Sequence, residues 1–177
     1  MESPLELYDN VLTTEDFERC EKIIFDNGWK FTGRSNNDSV IKFWFMDLAM
    51  EPFFTEVFFD HIQTFTKRKF KIESVYANGQ TYGLDGDFHK DAEDENAYTF
   101  IYYVSDVNSS NVDKVGGYSQ FKIGDEVTCV EPLVNRGVLF KSNTVHRGLA
   151  PSRLSGMLRA TVAFKLTKLK EADSIMT

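Results

Sequence analysis

The stretch Phe88-His89-Lys90-Asp91 puts an imidazole and a carboxylate two residues apart. In an extended segment, side chains two apart share a face, so His89 and Asp91 can offer a nitrogen and an oxygen to one ion. A third ligand is available fifty-five residues after Asp91, where His146 sits in Ser142-Asn143-Thr144-Val145-His146-Arg147-Gly148. That segment reads as a polar turn following the apolar run Gly137-Val138-Leu139-Phe140. Two imidazoles and one carboxylate on one side of a transition metal leave the opposite coordination positions open, and this donor set suits iron(II). His89, Asp91 and His146 are therefore the candidate metal ligands and the candidate catalytic centre. Taken alone, His89-Lys90-Asp91 reads as part of an acidic loop, with Asp85, Asp87, Glu93, Asp94 and Glu95 around it. It gains weight because a second histidine follows a later apolar run. His61, on a helical stretch beside phenylalanines with no acid at ligand spacing, reads as a structural or surface histidine.

Arg159 opens Arg159-Ala160-Thr161-Val162-Ala163-Phe164, in which Arg159, Thr161 and Ala163 share one face of a strand. A guanidinium pointing into a barrel needs an anion, and a dicarboxylate matches its bidentate geometry. Tyr76 and Tyr103 lie on strand candidates that flank His89 and Asp91. A phenol combines an apolar ring with a donor suited to a carboxylate.

These residues need a scaffold, and the chain supplies one. At 177 residues, 42% hydrophobic and with sixteen phenylalanines, it can bury the core of a single domain. The spacing predicts a helix whose N-cap lies in Thr13-Thr14-Glu15-Asp16 and which ends at Asn27-Gly28, with Phe17, Cys20 and Ile24 on one face. Trp29 to Val40 reads as polar and turn-rich, and Ile41 to Phe45 as a strand. Pro52 opens a second helix with Phe54, Phe58, Ile62 and Phe65 on one face. After Phe70 come strand candidates Ile72 to Ala77, Ala97 to Val104, Tyr118 to Lys122, Val127 to Val130, Gly137 to Lys141 and Leu158 to Leu166. Turn signals such as Asn78-Gly79, Gly116-Gly117 and Gly124-Asp125 separate them. The expectation is a mainly β fold, a double-stranded β-helix or jelly-roll core with N-terminal α-helices packed against it. Residues 1–177 form one domain in this reading: 1–70 a helical support region, 71–167 the jelly-roll core and 168–177 a C-terminal tail.

The net charge of −7 argues against a broad electrostatic footprint for DNA or RNA, so no nucleic-acid partner is expected. Cys20 and Cys129 are read as reduced, buried thiols rather than a disulfide framework. The opening Met1-Glu2-Ser3-Pro4-Leu5-Glu6 lacks a basic segment followed by an apolar one, and no stretch has the length of a membrane span. A soluble, cytoplasmic protein without a membrane partner is expected.

The order of landmarks carries a resemblance. Tyr76-Ala77-Asn78-Gly79-Gln80-Thr81-Tyr82, His89 and Asp91, Ile101-Tyr102-Tyr103, Gly116-Gly117, Glu131-Pro132, Gly137-Val138-Leu139-Phe140, His146 and Arg159 resemble those of the 2-oxoglutarate and Fe(II)-dependent dioxygenases. The prolyl 4-hydroxylase-like branch looks closest, over roughly Tyr76 to Phe164. Leu84-Asp85-Gly86-Asp87 looks inserted before His89, and Gly148 to Met157 is long between the distal histidine and the arginine. The resemblance implies that His89, Asp91 and His146 bind Fe(II). It also implies that Arg159 takes the distal carboxylate of the cosubstrate 2-oxoglutarate with help from Thr161, Tyr76 and Tyr103. The implied reaction hydroxylates a C–H bond, with succinate and carbon dioxide as coproducts and ascorbate as an optional reductant. A prolyl residue of a peptide or protein is the first substrate expected; a free amino acid or small metabolite is the alternative. Trp44, Arg153 and the loop from Asp106 to Lys114 are candidates for a substrate groove. A cupin-like metal-binding jelly roll without 2-oxoglutarate chemistry is the competing reading, and it has no need of Arg159. Oligomeric state is not legible.

Overall fold

The computed structural model describes residues 3–26 and 28–170; most of the expected C-terminal tail lies outside them. In chain order the strands are β1 (Leu5–Asp9), β2 (Lys30–Gly33), β3 (Phe43–Asp47), β4 (Phe70–Gln80), β5 (Ala97–Tyr103), β6 (Ser119–Ile123), β7 (Glu126–Val130), β8 (Arg136–Lys141), β9 (His146–Gly148) and β10 (Arg159–Lys168). The helices are α1 (Thr14–Asp26), α2 (Phe59–Thr66), which a π-helical segment Phe53–Phe58 precedes, and the short α3 (Val112–Val115).

The strands form an antiparallel sheet ordered β1-β8-β5-β10-β4-β3-β2 and a smaller one ordered β7-β6-β9. Leu5, Tyr103, Val138 and Phe140 of the large sheet pack on Phe121 and Val130 of the small one. Helices α1 and α2 cover the other face of the large sheet, so this is the expected mainly β jelly roll backed by helices.

Period-two alternation explains how one sheet serves both faces. In β10, Ala160, Val162, Phe164 and Leu166 join the core beneath the helices. Their neighbours Arg159, Thr161, Ala163 and Lys165 face the interior between the sheets and line a cavity there. Strand β4 repeats the pattern, with Val75 and Ala77 in the core and Tyr76, Asn78 and Gln80 on the cavity.

Thr13 caps α1 by accepting the Asp16 N–H at 3.2 Å, and Cys20 and Ile24 are fully buried on its inner face. The second helix departs from the single α-helix expected from Pro52. Its opening turn is π-helical, which widens the repeat and lets Phe53, Phe54 and Phe58 all reach the core. The Phe58 ring lies edge-on to Phe100, Tyr102 and Phe164, with centroids 6.3, 4.8 and 5.0 Å away. Such edge-to-face contacts stabilise the core beyond burial alone.

Four local readings are corrected. Asn78-Gly79 is no turn; it lies inside β4, paired with Thr161 and Ala160 on one side and Phe45 and Trp44 on the other. A Cβ at Gly79 would come within 3.0 Å of the Trp29 ring, so glycine there serves close packing. The first seventy residues supply two unexpected strands, β1 and β2, besides the helices and the expected strand β3. The segment after β8 is no mere turn, because His146–Gly148 forms β9. Cys20 is buried, but Cys129 is exposed; both are free thiols. Among the described residues no helix is long and apolar enough to cross a membrane.

Candidate metal centre

His89 and His146 exchange two backbone hydrogen bonds, His89 N–H to the His146 carbonyl at 3.0 Å and His146 N–H to the His89 carbonyl at 2.9 Å. Two residues on, the Asp91 N–H donates to the Ser142 carbonyl at 2.9 Å. The segment holding His89 and Asp91 is thus laid along the chain from Ser142 to Gly148. It is not the extended strand expected: His89 forms an isolated bridge and Asp91 sits in a bend. Convergence comes from these tethers rather than from period-two spacing.

The side chains meet as the sequence predicts. His89 Nε2 lies 3.4 Å from Asp91 Oδ1 and His146 Nε2 3.4 Å from Asp91 Oδ2, with all three ligand atoms within 4.8 Å of one another. Each imidazole has its Nδ1 at 2.9 Å from a backbone carbonyl, that of Asp87 for His89 and of Thr144 for His146. A carbonyl can only accept, so Nδ1 carries the proton and both Nε2 lone pairs face the shared point. Burial pushes the His146 imidazole down to about 4, which keeps it neutral and ready to ligate at pH 7. Burial would raise the Asp91 carboxyl, but the Lys165 ammonium in contact with it outweighs burial and holds it well below the usual carboxylate range. Thr99 donates to Asp91 Oδ2 at 2.7 Å, and Lys165 contacts the same oxygen. Two histidines and an ionised acid with inward lone pairs are a fitting donor set for Fe(II).

The triad opens on a cavity of about 470 Å³ that also receives Arg159. This guanidinium is buried, 5% exposed, and every bond it makes is to a neutral acceptor. Nε donates to the Gly117 carbonyl at 2.6 Å, one terminal nitrogen to Gln80 Oε1 at 2.8 Å and the other to Ser119 Oγ at 2.9 Å. One N–H remains on each terminal nitrogen, a fork that fits a carboxylate. Burial lowers the Arg159 pKa, and the opposing influence is the Tyr103 phenol rather than an acid. Gln80 is itself fixed, its amide nitrogen donating to the Leu84 and Gly148 carbonyls at 2.7 and 3.0 Å, so its oxygen must face Arg159. Gly117 has φ of 79°, and a Cβ there would sit 3.0 Å from Arg159 Cδ.

Thr161 and Tyr76 line the cavity beside Arg159 and Lys165. Tyr103 lies within the inter-sheet core, 1% exposed, with its hydroxyl donating to Ser119 Oγ at 2.7 Å and its ring 5.6 Å from the Arg159 guanidinium carbon. The groove candidates are not cavity walls. Trp44 alternates with Phe43 and Phe45, which are; Arg153 is exposed; and Val107 and Val112 pack with Val115 in a satellite core. His61, which has no acid at ligand spacing in its own segment, meets Asp16 Oδ2 at 3.0 Å and joins α2 to α1.

Sequence reasoning missed Lys165, Thr99, Ser142, Gln80, Ser119 and Arg34. Lys165 could have been found by carrying the Arg159-Thr161-Ala163 face one step further. Arg34 to Asn37 form part of the cavity wall from a loop whose composition says only that it is polar.

No protein-family model matches the chain, and no curated protein matches it. Solved structures do. A prolyl hydroxylase from Trichoplax adhaerens, in complex with a hypoxia inducible factor oxygen degradation domain peptide fragment, superposes with a TM-score of 0.65 at 13% identity, covering 98% of this chain and 87% of that one. The viral collagen prolyl hydroxylase of Paramecium Bursaria Chlorella virus-1, in its 2OG complex, gives 0.66 at 15% identity, covering 94% and 97%. The fold is that of the 2-oxoglutarate and Fe(II) oxygenases. Within this fold the chemistry of the matched proteins varies: the non-heme alpha ketoglutarate dependent epimerase SnoN from nogalamycin biosynthesis gives 0.67 at 11% identity, covering 93% and 77%. The oxygenase fold places a His-Asp-His cluster and a buried arginine on one cavity of this chain.

Proposed function

We propose that the protein is a 2-oxoglutarate-dependent Fe(II) dioxygenase that hydroxylates a C–H bond, with succinate and carbon dioxide as coproducts. The observation that carries this reading is the buried, acid-free guanidinium of Arg159 on the same cavity as three converging metal-type ligands. A metal-binding jelly roll without the cosubstrate would have no reason to keep an uncompensated cation there, since burying a lone charge is costly.

His89, Asp91 and His146 would hold Fe(II), which with 2-oxoglutarate and dioxygen supplies the oxidising chemistry. Arg159 would grip the distal carboxylate of the cosubstrate through its two remaining N–H groups. Thr161 and Tyr76 would flank that carboxylate, and Tyr103 would act as a positioning residue, bracing Arg159 through Ser119. Thr99 and the Ser142 carbonyl fix the Asp91 side chain and backbone, so its carboxylate keeps its aim. The packed aromatic wall of Phe121 and Phe140 against His146 keeps water from that side of the centre.

A prolyl residue in a peptide or protein is the first substrate to test, supported by two fold neighbours that are prolyl hydroxylases, one of them in complex with a peptide fragment. A free amino acid or small metabolite is the alternative. Two free thiols support a reducing, cytoplasmic setting. Anaerobic addition of Fe(II) and 2-oxoglutarate should produce the weak visible charge-transfer band of the chelate, and aerobic incubation should yield succinate. Absence of both the band and succinate would remove the dioxygenase reading.

A further inference from the structure

The cavity walls do not balance for a neutral substrate. Arg34, Arg159 and Lys165 line the cavity, and Asp91 is the one acid among the described lining residues, in a chain whose net charge is −7. A divalent ion and a doubly charged cosubstrate cancel, so the loaded site keeps an excess of positive charge. Arg159 is assigned to the cosubstrate, and Lys165 is held on Asp91. Arg34 is left over.

Its surroundings show a positioned side chain. One terminal nitrogen of Arg34 donates to the neutral Ser39 carbonyl at 2.8 Å, and no acidic partner of Arg34 is found among the described residues. The loop that carries it is internally fixed: Asn36 Oδ1 accepts from the Asp38 N–H at 3.0 Å and from Ser39 Oγ at 3.1 Å, and Ser39 is buried. Ser35 Oγ accepts the Asp87 N–H at 2.9 Å, two residues before the ligand His89. The exposed guanidinium is therefore set at the cavity mouth on a loop tied to the metal-ligand segment.

We propose that the molecule hydroxylated here carries a free carboxylate, which Arg34 receives at the mouth through a charge-assisted pair. This rests on the dioxygenase reading of the triad and Arg159. It favours a free acid, or a peptide ending in the reacting residue, over a prolyl residue inside a chain, whose amides offer no anion.

The test is calorimetric titration of the protein loaded anaerobically with Mn(II) and 2-oxoglutarate. The probes are N-acetyl-L-proline and N-acetyl-L-prolinamide, with N-acetyl-L-leucine and its amide as a non-prolyl pair. The acid of a pair should bind about tenfold or more tightly than its amide, and the gap should close in Arg34→Gln and partly return in Arg34→Lys. An acetylated tripeptide ending in a free prolyl carboxylate then separates a small acid from a peptide terminus. A gap in the leucine pair alone keeps the carboxylate and removes proline as the reacting unit. Equal affinities, binding of neither pair, or a gap that survives Arg34→Gln would overturn the proposal. Failure of 2-oxoglutarate to bind in the loading titration is read separately and sinks the dioxygenase assignment itself.

Discussion

In the proposed reading Arg159 answers most directly for the cosubstrate, because its three partners are neutral and stay satisfied when no anion is present. Arg159→Gln should weaken 2-oxoglutarate binding by about 100-fold, the usual scale for removing one partner of a desolvated ion pair, while Mn(II) titration shows the metal still bound. Asp91→Ala should abolish both metal binding and iron-dependent succinate formation, since it also strips Lys165 and Thr99 of their shared acceptor; unchanged turnover would remove Asp91 as a ligand. The metal-free protein should also record its buried imidazole. His146 has a folded pKa pushed down to about 4, below its ordinary value, so the unfolded chain binds the extra proton first as pH falls. The His146 contribution is fully present above about pH 6.5 and lost as pH falls through 4, on the order of 3 kcal/mol. Asp91, also held low, adds to the loss beneath the ordinary carboxylate range. Melting temperature followed from pH 7 to pH 4 should fall, with a shallower slope in His146→Gln. The histidines were readable beforehand because the chain has three, so each position is informative. Lysines and arginines number twenty; Lys165 was within reach through the parity of the Arg159-Thr161-Ala163 face, but nothing local distinguishes Arg34 from solvated neighbours until the Ser35–Asp87 contact ties its loop to the cavity.

Strand β10 divides its duties by parity, and the two sets of residues should respond differently to substitution. Phe164→Ala removes a ring packed against Phe58 and Phe100 and should cost about 3–5 kcal/mol in denaturant unfolding. Thr161→Val on the opposite face should leave the unfolding midpoint nearly unchanged and raise the 2-oxoglutarate requirement. At the end of β9, Gly148→Ala should weaken cosubstrate binding by crowding the Arg159 cradle, because a Cβ there would lie 2.9 Å from Gln80 Oε1 and 3.1 Å from an Arg159 terminal nitrogen. Central strands such as β5, β8 and β10 were legible because burial on both faces selects apolar, β-branched and aromatic residues. Strands β1 and β2 escaped notice because they are edge strands with mostly solvent-accessible side chains, which leaves the sequence free of the usual pattern. Asn78-Gly79 misled for a complementary reason: tertiary crowding by Trp29, Leu158 and Trp44 demanded a glycine where turn statistics suggested a reversal.

Seen whole, the molecule is a sandwich whose helix-backed sheet and smaller sheet meet around the ligands, so occupancy of the site should stabilise the entire fold. Saturation with Mn(II) and 2-oxoglutarate at about a hundredfold over the dissociation constant should raise the melting temperature by about 5–10 °C. No shift with both present would favour a fortuitous cluster. The reciprocal pair of main-chain bonds between His89 and His146 has a consequence for how such a molecule lives in a cell. Because peptide groups, not the ion, register the two imidazoles, the nascent polypeptide can reach its final shape before encountering iron. Stripping by a chelator should accordingly be a reversible pause, undone by simple repletion, with no refolding step in between.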